Sequence, residues 1–105
     1  MRGPMAVGFD KYVAYVDIDS QGNLLSVQIF KLMEKDKWKK CPTVRLKHKY
    51  KDYTRKNEVN AKVFGYQDFK VVIPFKSNAV DYVRIVYKGE TVPPVYHEPK
   101  HFAKM

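Results

Sequence analysis

Cationic and aromatic side chains are interleaved in the middle of the sequence, and together they could bind a polyanion. Residues 31–62 contain twelve Lys and Arg against four acidic residues, so this stretch carries +8 of the formal net charge of +9. Ammonium groups neutralise phosphates and aromatic rings stack on bases, which is the chemistry of single-stranded nucleic-acid binding. The residues predicted to make these contacts are Trp38, Lys39, Lys40, Arg45, Lys47, Lys49, Lys51, Tyr53, Arg55 and Lys56.

A strand predicted over Thr43–Tyr50 would organise the centre of this stretch. Side chains alternate across a strand, so Arg45, Lys47 and Lys49 would share one exposed basic face. The opposite, buried face would carry Val44, Leu46, His48 and Tyr50. Lysine exceeds arginine here, and because bidentate base recognition depends on Arg, we expect phosphate contacts with little sequence specificity.

Two aromatic residues of the stretch are candidates for stacking on bases. Tyr53 falls in a polar loop between Lys51 and Arg55 and is the better candidate. Trp38 has two open interpretations, because a tryptophan among lysines is either a surface platform or an anchor tucked under the loop.

Other residues in the sequence are of the types that catalyse reactions or bind metal ions. Asp17 and Asp19 share a face at the end of a predicted strand and could hold Mg²⁺ as nuclease carboxylates do. No third acid joins them at a telling spacing, and the sequence has no nucleophile elbow or Gly-rich phosphate loop. His97 and His101 are four residues apart, but Pro99 interrupts a helix that would place both on one face. We therefore predict a protein that is not an enzyme and that uses no metal or cofactor.

The first elements predicted to position these residues form a β-hairpin. Tyr12–Ile18 is dense in β-branched and aromatic residues, and a turn with Gly and Asn separates it from a second strand over Leu24–Met33. A rival interpretation makes Leu24–Lys40 a helix, because apolar residues there also recur at helical spacing. The hairpin turn favours a strand through about Lys31, and a short helical turn over Leu32–Lys40 remains open.

The rest of the chain predicts more strands and a polar loop over Lys51–Asn57. The later strands are Glu58–Phe64, Phe69–Phe75 and Val80–Tyr87. About six strands without a sustained helical pattern indicate an all-β fold with at most a minor helix, a single-domain antiparallel β-sandwich or small barrel over residues 1–105. We expect residues 1–10 to be a short arm and the Pro-containing residues 91–105 to be an extended tail.

Composition bounds the size and the cellular location. Hydrophobic residues make up 45% of the chain and aromatic residues 14%, which is enough for the core of one domain. The single Cys excludes an internal disulfide and favours a reducing compartment. No apolar run reaches the length of a signal-peptide core or a membrane span, so we expect a cytoplasmic protein that has no membrane partner.

Three functions follow from these patterns, and they differ in the partner that the chain would bind. The leading one is non-enzymatic binding of DNA or RNA, with single strands favoured. The alternative is a small protein-interaction module, such as an accessory or inhibitory protein of a virus or mobile element, that binds an acidic protein or adds a strand at a sheet edge. The second alternative is a metal-dependent nuclease. An exposed edge strand would also allow a homodimer.

Overall fold

The computed structural model describes residues 3–46, 50–52, 57–59 and 61–105, with the backbone alone described at 50–52 and 57–59. The strands form two antiparallel sheets packed face to face and one two-stranded hairpin, and a short helix packs on the outer face of the first sheet. The predicted all-β antiparallel class is confirmed. The described strands are more numerous than the six predicted, because strands also form at residues 5–9, 37–41, 90–92 and 95–97, where none was predicted.

The first sheet has five strands, and its order follows the chain except at one edge. There, the last strand of the chain pairs with the first, which brings the two ends of the chain together. In spatial order the strands are β13 (Val95–His97), β1 (Met5–Phe9), β2 (Tyr12–Ile18), β3 (Leu24–Glu34) and β4 (Lys37–Cys41).

The hairpin of β2 and β3 confirms the first two predicted strands. Its turn is held by the carboxylate of Asp19, which accepts hydrogen bonds from the backbone N–H groups of Gln21 and Asn23, both at 2.9 Å. In the register of this hairpin Tyr12 lies opposite Lys31, and a β-bulge follows Asp17. This turn chemistry is what favoured the strand over the helix.

The helical alternative for residues 24–40 is wrong, because β3 continues to its end and reverses directly into β4. Lys35 adopts a positive φ of 47° in the turn, which permits a tight reversal without glycine. Strand pairing on both sides then buries Ile29 and Phe30 on opposite faces of the sheet, at 0% and 1% exposure. Each of these neighbours packs in a different core.

The second sheet also has five strands, and a sixth pairs beside one of them. In spatial order they are β12 (Glu90–Val92), β11 (Arg84–Tyr87), β9 (Phe69–Lys76), β8 (Ala61–Tyr66) and β5 (Val44–Leu46), with β10 (Ala79–Val80) paired to β9. The predicted strand over Phe69–Phe75 is confirmed. The one predicted over Val80–Tyr87 is divided into β10 and β11, because the chain changes pairing position along β9.

The described residues of the strand predicted over Thr43–Tyr50 are mostly in strands. They are β5 and Tyr50, the first residue of β6 (Tyr50–Asp52), and residues 47–49 lie outside the described ranges. The loop predicted over Lys51–Asn57 is wrong at both of its described ends, because β6 pairs with β7 (Asn57–Val59) in a hairpin. This hairpin has the same register as the pairing of β5 with β8, with Tyr50 opposite Val59 and Leu46 opposite Val63. The strand predicted over Glu58–Phe64 is confirmed in its described residues, which belong to β7 and β8.

The main core lies between the two large sheets. Aliphatic residues of alternating strand positions fill it, and Tyr12 stacks on Phe69 with ring centroids 5.2 Å apart. Its fully buried aliphatic members include Val7, Ala14, Val16, Ile29, Val71, Ile73 and Ile85. The inner face of each sheet is the face that contributes to this core, and the outer face is the opposite one.

Both chain ends contain secondary structure where an arm and an extended tail were predicted. Within residues 1–10, β1 is paired on both sides, which buries Met5, Ala6 and Val7. Within residues 91–105, two short strands precede helix α1 (Pro99–Ala103). Pro99 stands at the start of this helix, where its missing N–H is no loss, so it begins the helix instead of preventing one.

Candidate nucleic-acid interface

The chain crosses from one sheet to the other at Pro42 and Thr43, between β4 and β5. Among the described strands, these two are edges of their sheets. The hydroxyl of Thr43 accepts a hydrogen bond from the backbone N–H of Ile29 at 3.0 Å and donates one to the carbonyl of Cys41 at 3.2 Å. The side-chain amide of Gln28 donates to the same carbonyl at 2.9 Å. These bonds fix the position of the crossing.

A cleft of about 130 Å³ opens beside the crossing, and we call it the basic cleft. It is lined by Lys31, Met33, Lys39, Lys40, Cys41, Pro42 and Tyr66. Three of these residues are lysines, and none of these seven is acidic. A concave site lined by one sign of charge focuses the local potential and concentrates ions of the opposite sign.

Strand pairing explains why two of the lysines meet. Lys31 and Lys39 are directly opposite each other in the register of β3 and β4, on the face that also carries Cys41. The Nζ of Lys31 lies 5.5 Å from the centroid of the Tyr12 ring, within range of a cation–π interaction. Like charges directly opposite across two strands destabilise the pair. An anion bound between the two ammonium groups would relieve that repulsion.

Cys41 supplies part of the inner wall of the basic cleft. Burial raises the pKa of its thiol, and the ammonium groups of Lys31 and Lys39 act in the opposite direction without overcoming that effect. The side chain is buried and lies 3.6 Å from the carbonyl of Lys39. A protonated, buried thiol packs as a small apolar group and is a poor nucleophile.

A second concavity, of about 420 Å³, adjoins the basic cleft, and we call it the apolar groove. It is lined by Pro42, Val44, Leu46, Gly65, Tyr66, Gln67 and Lys70. Pro42 and Tyr66 line both concavities, so the two form one continuous surface around the crossing between the sheets.

The structure brings some of the predicted contact residues to this surface. Lys39 and Lys40 line the basic cleft, whereas Arg45 is exposed on β5 and is not among the residues that line either concavity. Arg45 lies opposite Phe64, whose ring packs against the main core, so it belongs to the inner face at the sheet edge. The predicted burial of the opposite face of this strand is wrong at Val44, which is 56% exposed.

The other predicted cations and Tyr53 cannot be placed on this surface. The predicted residues outside the described ranges are Lys47, Lys49, Tyr53, Arg55 and Lys56. His48, which was expected on the buried face, is outside them as well. Lys51 lies in β6, of which the structure describes the backbone pairing. The shared basic face of Arg45, Lys47 and Lys49 therefore stays a prediction.

Trp38 lies on the opposite side of β4 from the neighbouring Lys39. Its half-buried ring makes edge contacts with Phe102 of α1 at 5.2 Å and with His97 of β13 at 5.8 Å, measured between centroids. Because β13 and β4 are the two edges of the sheet, these contacts show that the sheet coils around Phe102. Trp38 is thus anchored against α1 and β13, and not under the loop that the second interpretation named.

Three of the remaining candidates for chemistry, Asp19, His97 and His101, make structural contacts. The carboxylate of Asp19 accepts three hydrogen bonds inside its turn, and those from Asn23 are the main cause of a lowered pKa. His97 and His101 both pack edge-on against Phe102. Among the described residues, no group of three or more His, Cys, Asp or Glu side chains is arranged to hold a metal ion.

Sequence reasoning missed Lys31 and Tyr66 as members of the site. Lys31 belongs to the basic stretch, but its position opposite Lys39 depends on the hairpin turn at Lys35, which has no glycine to mark it. Tyr66 reaches the site from β8, which follows the basic stretch in the chain. The alternating pattern of residues in β8 indicates a strand. It could not show which strand of the other sheet would lie beside the end of β8.

Comparisons of the chain with models of protein families, with curated proteins and with solved structures find no match. In the part of the chain that the structure describes, no helix has the length and apolar character needed to cross a membrane.

Proposed function

We propose that this protein binds nucleic acid without catalysing a reaction, and that the basic cleft is a principal phosphate contact. The observation that carries the proposal is the pairing of Lys31 with Lys39, both of which line the basic cleft. Two lysines paired across neighbouring strands repel each other, and a phosphate bound to both would offset that repulsion.

The distribution of charge supports the same function. The cleft lies at the start of the stretch that carries +8 of the formal charge, so further cations follow it directly in the chain. Lysine contributes ten of the twelve cations of that stretch and Arg only two. Lysine acts on phosphate as a mobile point charge, whereas base readout in a groove relies on the planar fork of Arg. Binding with little sequence specificity follows from this composition.

The test compares two lysine substitutions that change the net charge equally. Lys39→Glu reverses an exposed charge of the basic cleft, and Lys76→Glu reverses an exposed charge at the end of β9, outside both concavities. Binding of fluorescein-labelled 20-nucleotide DNA and RNA would be followed by anisotropy at low salt. We expect Lys39→Glu to weaken binding roughly tenfold, because one phosphate contact is lost and a repulsive charge is added, and Lys76→Glu to weaken it far less.

Two results would contradict binding of nucleic acid at the basic cleft. One is equal weakening by both substitutions, which would mean that net charge alone governs binding. The other is competition by poly-glutamate as effective as that of an oligonucleotide with the same number of charges, which would favour an acidic protein partner. Conversion of the labelled strand to shorter products would show a nuclease instead.

A further inference from the structure

The apolar groove exposes hydrophobic side chains beside a cluster of cations. Val44 is 56% exposed although it lies in a strand, and Leu46 and Tyr66 form neighbouring walls of the groove. Lys70 also lines the apolar groove. The basic cleft, which Lys31 lines, adjoins the groove at Tyr66. An exposed apolar surface rimmed by charge marks a binding site more often than a random feature of the surface.

Gly65 creates the depression. It lies between Val44 of β5 and Lys70 of β9 in the strand register, so the row has no side chain at its centre. A Cβ placed on Gly65 would come within 3.1 Å of the Cγ of Lys70 and 3.4 Å of a methyl carbon of Leu46. The side chains of Lys70 and Leu46 thus approach the glycine closely, so a larger residue would push them apart and change the shape of the groove that Gly65 lines.

The dimensions and chemistry of the groove suit a flat apolar ligand. Its volume of about 420 Å³ falls in the range of sites that bind small organic groups. Tyr66 and Pro42 offer an aromatic ring and a rigid ring at the boundary with the basic cleft. An unpaired base has two apolar faces and is joined through its sugar to a phosphate. The neighbouring concavities therefore match the two parts of one nucleotide.

We propose that the apolar groove takes an unstacked base while the basic cleft holds the adjoining phosphates, so that the protein selects single-stranded over duplex nucleic acid. This inference rests on the proposed function and adds the form of nucleic acid that is bound. A duplex presents its phosphates to the cleft but keeps its bases stacked inside, and so it can satisfy only one of the two concavities.

Charge argues against a second copy of the chain in the groove. The chain carries a formal charge of +9, and a copy docked here would face Lys31, Lys39 and Lys70. Like charges brought together at an interface are costly. Single-stranded nucleic acid supplies negative charge and apolar faces at once, which is the complementarity that the groove and the cleft together require.

The experiment separates base binding from phosphate binding. Anisotropy would be measured with three labelled ligands of equal length: a DNA single strand, the same strand with abasic sites throughout its centre, and the duplex. The abasic strand keeps the phosphates and removes the bases. For the wild type we expect the intact strand to bind about tenfold more tightly than the abasic strand, a preference typical of base stacking on aromatic side chains.

Two substitutions probe the groove itself. Gly65→Val crowds the side chains of Lys70 and Leu46 that line the groove, and Val44→Ser removes an apolar wall at a position that is 56% exposed. In both variants we expect the ratio of intact-strand to abasic-strand affinity to fall towards one, and circular dichroism of each variant confirms that it is folded. Lys76→Glu, outside the groove, should keep the wild-type ratio.

The outcomes distinguish this inference from the proposed function. Equal affinity of the wild type for the intact, abasic and duplex ligands would overturn the base site and leave phosphate binding intact. A ratio that stays at the wild-type value in Val44→Ser would overturn the assignment to this groove. Failure of all three ligands to bind would overturn the proposed function together with the inference. Tighter binding of poly-glutamate than of the intact strand would assign the surface to an acidic protein.

Discussion

Two neighbouring residues of β4 serve opposite regions of the molecule. Trp38 points to the outer face, where it joins an aromatic cluster made of Phe30, Trp38, His97 and Phe102. Lys39 points to the inner edge and lines the basic cleft. In sequence the two look like one aromatic and basic motif, but the pleat of a strand sends alternate side chains to opposite faces. Interleaving of rings and cations along a strand therefore separates them in space.

The two regions differ in their exposure to solvent. The aromatic cluster is packed, with Phe102 at 2% exposure and Phe30 at 1%, and its rings meet at 5 to 6 Å between centroids. The basic cleft and the apolar groove are open to solvent and leave Val44 largely exposed. We infer that substitutions in the first region change stability and that substitutions in the second change binding.

The largest effect is expected from Phe102→Ala. Phe102 is the buried residue of α1, and its ring contacts Phe30, Trp38 and His97. Removing it leaves a cavity and releases the helix, so we expect the free energy of unfolding to fall by about 3 kcal/mol. Urea denaturation measures this value. Met105→Ala, at a 40% exposed position near the same end of the chain, is the control and should change it little. Equal stability of Phe102→Ala and the wild type would mean that α1 is not docked.

Trp38→Phe should have a smaller effect that sharpens the comparison with Lys39. It preserves an aromatic ring but loses edge contacts with His97 and Phe102, so we expect a loss of about 1 kcal/mol in the free energy of unfolding. Affinity for the single strand, measured on the folded variant, should stay within about twofold of the wild type. A loss of affinity comparable to that of Lys39→Glu would restore Trp38 as a stacking platform and break the distinction between the two regions.

The smallest effect is a pH dependence that arises in the aromatic cluster. Burial is the main cause that lowers the pKa of His97, and the charge of His101 adds to it. The unfolded chain, with a histidine pKa near 6.5, then binds more protons than the folded chain below that pH. Stability from this group is complete above pH 6.5 and is lost as the pH falls through the lower folded value.

Melting temperatures measured from pH 7.5 to pH 5 test this dependence. We expect the wild type to lose stability below pH 6.5, and the difference between wild type and His97→Gln to shrink over the same range. The ring of His101 also touches Phe102, and its charge is the smaller cause of the lowered pKa of His97, so we expect His101→Gln to keep most of the pH dependence. A difference between wild type and His97→Gln that grows towards acid pH would show that protonation stabilises the folded chain.

β-branched and aromatic residues made part of the fold predictable from the sequence. Tyr12–Ile18 was predicted as a strand from its density of such residues, and Phe69–Phe75 from their alternation along one face. Strand β4 was not predicted, since four of its five residues are Trp or Lys and its turn carries a positive φ at Lys35 without glycine. The local pattern gave no sign of its pairing with β3.

The site was less predictable than the fold, because it depends on which strand edges meet. Lys39 and Lys40 could be chosen from charge density alone. Lys31 required the register of β3 with β4, and Tyr66 and Gly65 required the arrangement of β8 beside β5. Such placements depend on contacts between residues that are distant in sequence, which neither composition nor periodicity encodes.

The salt dependence of binding by the wild type and Lys39→Glu tests the central claim most directly. The logarithm of the affinity for a labelled single strand would be plotted against the logarithm of salt concentration for each protein. If the basic cleft contacts phosphate, the wild type shows a steep negative slope and the substitution reduces its magnitude by about one unit. Identical slopes for the two proteins, or a flat slope for the wild type, would contradict the account.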